Sequence, residues 1–113
     1  MDLSGLSESE HKVLLALVGL VARADGRLSQ TEMGTLEELR RAIPPERFLQ
    51  ARGQAAALAD DEAILNAARE VTRPEARALI FSVLYEMAIP STLDPSEVTI
   101  FERISALWGL EAP

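Results

Sequence analysis

The stretch Ala24-Asp25-Gly26-Arg27-Leu28-Ser29-Gln30-Thr31-Glu32 decides how this chain folds. An apolar helical run ends near Arg23 and an amphipathic one begins near Gln30, so the stretch reads as the corner of a helix pair. Gly26 suits the position just past a helix end, where a left-handed backbone carries no side-chain penalty. Ser29 and Glu32 make a Ser-x-x-Glu capping box: hydroxyl and carboxylate each accept from an amide that a helix start leaves unpaired.

Upstream of the corner, Ser7 and Glu10 form another capping box. After it Val13, Leu14, Leu15, Leu17, Val18, Leu20 and Val21 are apolar on nearly every side, the pattern of a helix in the middle of a bundle. Downstream, Met33, Leu36, Leu39 and Ile43 form one stripe of a second helix from Gln30 to about Ile43. On its other face Glu37 stands four residues before Arg41, the favourable order for an ion pair.

Pro44-Pro45 ends that helix, and Pro45 suits the first position of the next. A third helix is expected from Glu46 to Ala59, anchored by Phe48 and Leu49, with Gly53 as its weak point. Asp60 or Asp61 caps a fourth through Val71, with Ile64, Leu65, Ala68 and Val71 inward.

Thr72 and Glu75 form the capping box of a fifth helix, with Pro74 in its first turn. This helix, Ala76 to about Ala88, is again apolar nearly all round and reads as a second central helix. Asp94 and Glu97 cap the last one, in which Val98, Ile100, Phe101, Ile104, Leu107 and Trp108 point inward and Gly109 is the stop.

Aligning Glu32 with Glu97 repeats the unit of central helix, corner, leucine, cap and amphipathic helix, with Leu28 on Leu93 and Ser29 on Asp94. The pattern predicts an all-α bundle of six to seven helices with an internal pseudo-two-fold repeat of helical hairpins, joined by the segment from Pro45 to Val71.

A length of 113 residues supports one domain, and a chain of this size buries roughly two-thirds of its unfolded surface. With no cysteine there is no disulfide, thiolate metal site or cysteine nucleophile. A net charge of −7, with one lysine and ten arginines among eighteen acids, argues against a nucleic-acid partner, because phosphate binding rests on clustered cations. The acidic start has the wrong sign for a leader peptide. The longest apolar run, Val13 to Ala22, is about half of the ~20 residues that span a bilayer, so direct membrane insertion is not expected.

Two readings meet at the corner. Asp25-Gly26-x-Leu28-x-x-x-Glu32 matches the second half of an EF-hand loop, but Val21 and Arg23 stand where the first oxygen ligands belong. A looser divalent-cation site would use Asp25 and Glu32, with Glu37 or Glu38 near. Asp25 at the negative end of a helix dipole motivates it, since such a carboxylate asks for a compensating cation, metal or arginine.

The structural reading has Asp25 bonding turn amides while Glu32 closes a box contributing ~1 kcal/mol. It is preferred, and Pro90 and Ser91 in place of a second Asp-Gly argue against a symmetric pair of metal sites. His11, beside Glu8, Glu10 and Lys12, reads as a solvated surface residue and no metal motif. Asp60-Asp61-Glu62 suits a helix start, and no nucleophile elbow or phosphate loop occurs, so no enzyme is expected. Phe81, Tyr85, Phe101 and Trp108 fall at helical spacing and are assigned to the core ahead of a ligand or partner groove.

The run Ala22 to Glu32, the helix around Phe81 to Ala88 and the segment Glu97 to Leu110 together resemble the TerB-like family. That family covers the tellurite-resistance protein TerB and the N-terminal domain of the co-chaperone DjlA. The most specific shared string is Ala22-x-Ala24-Asp25-Gly26-x-Leu28-x-x-x-Glu32. The resemblance spans roughly Glu8 to Leu110.

It implies a helical bundle with internal pseudo-symmetry, a role in tellurite and other stress resistance, and protein contacts at the cytoplasmic side of the membrane. It also implies an acidic metal site, for which Asp25 and Glu32 match the first motif and Glu97 the glutamate of the second. Pro90 and Ser91 depart from that second motif.

The expectation is therefore one TerB-like domain over residues 1–113, cytoplasmic and non-enzymatic, that binds a protein partner, membrane-associated or not, in a stress-response assembly. A homodimer is compatible with it. The alternative is a divalent-cation sensor centred on Asp25 and Glu32, and no other cofactor is expected.

Overall fold

The computed structural model describes residues 5–24, 30–58, 60–88 and 95–109, and all regular structure among them is helical. The elements are α1 (Glu8–Ala24), α2 (Gln30–Ala42), α3 (Pro45–Ala56), α4 (Asp61–Arg69), α5 (Pro74–Ala88) and α6 (Pro95–Trp108). The all-α bundle and its six helices agree with the sequence reading. The two corners that define the pseudo-repeat lie outside the described residues.

The helix starts show why each element begins where it does. Ser7 Oγ accepts from the amide of Glu10 at 3.2 Å, and Glu10 Oε1 accepts from the amide of Ser7 at 2.7 Å, a reciprocal capping box. At α4 the cap is Asp60, in extended backbone, whose Oδ1 accepts from Ala63 N at 2.8 Å. Pro45 opens α3, which runs on through Gly53 to Ala56. α5 opens at Pro74, so the position directly before it is Arg73, whose carbonyl accepts from Arg77 N at 3.1 Å. Gly109 follows α6 with φ 67°, the left-handed stop that a side chain would strain.

The core forms around α1, which packs most extensively on α3 and also meets α4, α5 and α6. No residue from Lys12 to Val21 is exposed. Leu14 and Leu17 are fully buried together with Leu39, Ile43, Ile80, Leu84 and Ile104 from the surrounding elements.

Polar stitches close the far end. Trp108 Nε1 donates to the Ala68 carbonyl at 2.8 Å. Arg77 Nε donates to the Val71 carbonyl at 2.6 Å and Nη1 to the Trp108 carbonyl at 3.5 Å. A cation thus meets the negative ends of α4 and α6.

Several positions differ from the sequence reading. Met33, Leu49 and Val98 were expected inward and are exposed. Burial along α2 rises from Met33 through half-buried Leu36 to Leu39 and Ile43, so only the C-terminal half of that stripe is covered. Glu37 pairs with Arg40 at 3.5 Å, not with Arg41, in an exposed contact of small energetic weight. Among the described residues, no helix is long and apolar enough to cross a membrane.

Candidate functional site

Glu10 makes the capping box that the sequence indicates, whereas His11, read as a solvated surface residue, is not one. Glu10 is 5% exposed and His11 1%. Both sit in the first turn of the most enclosed helix, and the linker between α4 and α5 lays Arg73 against Glu10. Arg73 Nε donates to Glu10 Oε2 at 2.9 Å and Nη2 to Glu10 Oε1 at 2.6 Å, a two-pronged pair. Arg73 Nη2 also donates to the Gly5 carbonyl at 2.8 Å.

The hydrogen-bonded Arg73 guanidinium holds the Glu10 carboxyl below its ordinary value, against the upward push of burial and with help from Ser7. In the same pair Glu10 raises Arg73. Glu10 thus serves cap and ion pair at once, with both oxygens taken, and the cluster fastens residues 5–10 to the start of α5. It is a clasp by its geometry, since the Glu10 carboxylate and two of the Arg73 guanidinium nitrogens bond across to another part of the chain.

The corner expected to hold a cation gives no geometry to weigh. Asp25, Gly26, Ser29 and Asp94 lie outside the described residues. Glu32 and Glu97 fall in the first turns of α2 and α6, their side chains outside the described set as well. Thr72 and Glu75 are both exposed, flanking the start of α5. Among the described residues no three His, Asp or Glu side chains gather to hold a metal ion.

The aromatic residues divide. Trp108 and Phe101 are buried, whereas Phe81 is half-buried and Tyr85 is 39% exposed. Phe101 receives both α5 rings nearly edge-on, with centroids 5.6 Å from Phe81 at 80° and 6.1 Å from Tyr85 at 86°. Phe81 and Tyr85 lie 6.3 Å apart and nearly parallel. These are favoured ring arrangements, and they join α5 to α6 along a seam whose outer end is open.

Val98, one turn before Phe101 and 37% exposed, adds an aliphatic group to the same side of α6. Glu102, four residues after Val98, and Glu86, next to Tyr85, are both exposed. Neither is held by an ion pair among the described residues, while the nearby cation Arg103 is engaged by Glu62 at 3.1 Å. The outcome is an apolar seam with an acidic border.

The sequence reading set a groove at these aromatics below the core, although a signal for an open stripe existed. Ser82 and Glu86, four apart, mark a polar stripe on α5, and Val98 and Glu102 share a stripe on α6. No such signal existed for Glu10 and Arg73, which are 63 residues apart in the chain. No family model, curated protein or solved structure matches this chain.

Proposed function

We propose that the chain is a non-enzymatic TerB-like interaction domain that binds a partner protein within a stress-response assembly of the tellurite-resistance type. The observation that carries the reading is the outer end of the α5–α6 seam, where Tyr85 and Val98 are exposed beside the buried Phe101. Exposed apolar side chains with a polar rim are the kind of surface on which a partner protein docks. The Ala22 to Glu32 string supports the family part of the reading.

The test is capture of partners by the tagged full chain under native conditions, with and without tellurite challenge. The expected result is a protein recovered reproducibly with the chain and absent from the tag-only control. Recovery of nothing beyond that control overturns the reading.

A further inference from the structure

The α5–α6 seam has a composition that selects its occupant. Tyr85 and Val98 offer exposed apolar surface backed by the ring cluster on Phe101, a floor held by edge-to-face contacts. Among the described residues no ion pair holds Glu86 or Glu102, while Arg103 is paired with Glu62 and Arg77 bonds to the Val71 and Trp108 carbonyls. The whole-chain charge of −7 extends the same sign outward. Such a field draws in cations and repels anionic surfaces.

We infer that this seam docks a basic amphipathic helix of a partner protein, its apolar residues on Tyr85 and Val98 and its lysines or arginines against Glu86 and Glu102. The inference rests on the interaction reading above and adds the surface and the chemistry of the partner. A helix laid across the seam presents apolar anchors at i, i+3, i+4 and i+7 on one side while its flanks carry charge, the complement of this border. A second copy of the chain fits poorly. A two-fold contact through the seam would set each copy's Glu86 and Glu102 near like charges.

The experiment titrates the isotope-labelled full chain with two synthetic helical peptides, followed by NMR. One carries leucines at the anchor spacing with lysines elsewhere. The other replaces every lysine with glutamate. The basic peptide is expected to shift amides in 82–86 and 98–102, and the acidic one is expected to shift none. Raising salt from low to physiological strength weakens the basic peptide several-fold, as screening of bordering charges requires.

Glu86→Gln with Glu102→Gln weakens it by roughly tenfold and flattens the salt dependence. Tyr85→Ser with Val98→Ser removes binding, and a cooperative melt with amide positions unchanged away from the seam certifies that variant's fold. The glutamine pair touches only exposed carboxylates and serves as the test if the serine pair unfolds.

Shifts elsewhere, equal binding of both peptides, no shifts at all, or seam shifts that grow with protein concentration alone each overturn the inference. The native capture separates the two readings. A partner retained equally by wild type and the glutamine pair sinks the seam and keeps the interaction domain. A partnerless chain sinks the interaction domain, and the seam's chemistry is still decided by the peptides.

Discussion

α1 and α5 are both apolar on nearly every side in sequence, yet the bundle treats them differently. α1 has helices α3, α4, α5 and α6 against it, and none of its residues from Lys12 to Val21 is exposed. α5 buries Ala76, Ile80, Val83 and Leu84 but leaves Ala78, Ser82, Tyr85 and Glu86 on an open stripe. An apolar helix must bury some face. How many faces are covered depends on how many neighbours reach it, and that number is a property of the whole chain.

The sharpest way to break this comparison is to remove side chains from each helix in turn. Leu17→Ala is expected to cost about 2–5 kcal/mol, a range set by the cavity left where the site cannot collapse. Ile80→Ala should fall in the same range, because that side of α5 is as closed as α1. Urea unfolding measures both. A Leu17→Ala cost no larger than that of Tyr85→Ala would erase the distinction between the helices.

Next in size is the clasp over the first turn of α1. Glu10→Gln is expected to cost about 1–2 kcal/mol at neutral pH, through lost charge-assisted bonds to Arg73. Because the folded carboxyl titrates lower than the unfolded one, its stabilisation is full above the ordinary carboxylate range. It is lost as pH falls through the depressed folded value. The gap between wild type and Glu10→Gln should therefore close on acidification. A gap that stays constant from neutral pH to strong acid would mean that Glu10 contributes by packing alone.

Tyr85→Ala is expected to cost about 1 kcal/mol or less, since the ring contacts it loses lie at an open edge. The exposed pair Glu86→Gln and Glu102→Gln should move stability by no more than about 0.5 kcal/mol each while still weakening the basic peptide. Smallest of all is the effect of metal on the corner. If Asp25 and Glu32 serve as backbone ties, millimolar calcium or magnesium leaves the melting midpoint where it is. A rise that Asp25→Asn abolishes would make the corner a cation site.

The helix boundaries were legible because capping is local. Ser7 with Glu10, Asp60 with Ala63, Pro45, Pro74 and Gly109 each act within a turn of their own position, so spacing alone reveals them. The polar seam border was half legible, through Ser82 with Glu86 and Val98 with Glu102. His11 was misjudged because three charged neighbours in sequence say nothing about what folds over them. Met33 and Leu49 were misjudged for the opposite reason: an apolar residue at the right period is buried only if a neighbour reaches that turn.

The sequence by itself determined an all-helical chain of six to seven helices, where most of them start, and which two carry enough apolar surface to sit inside. Those properties follow from hydrogen bonds and side-chain periodicity within a few residues. Only the tertiary structure decided that Arg73 would close over Glu10 and that α1 would be sealed. It alone left α5 open at Tyr85, because each of these depends on segments far apart in the chain competing for the same limited space.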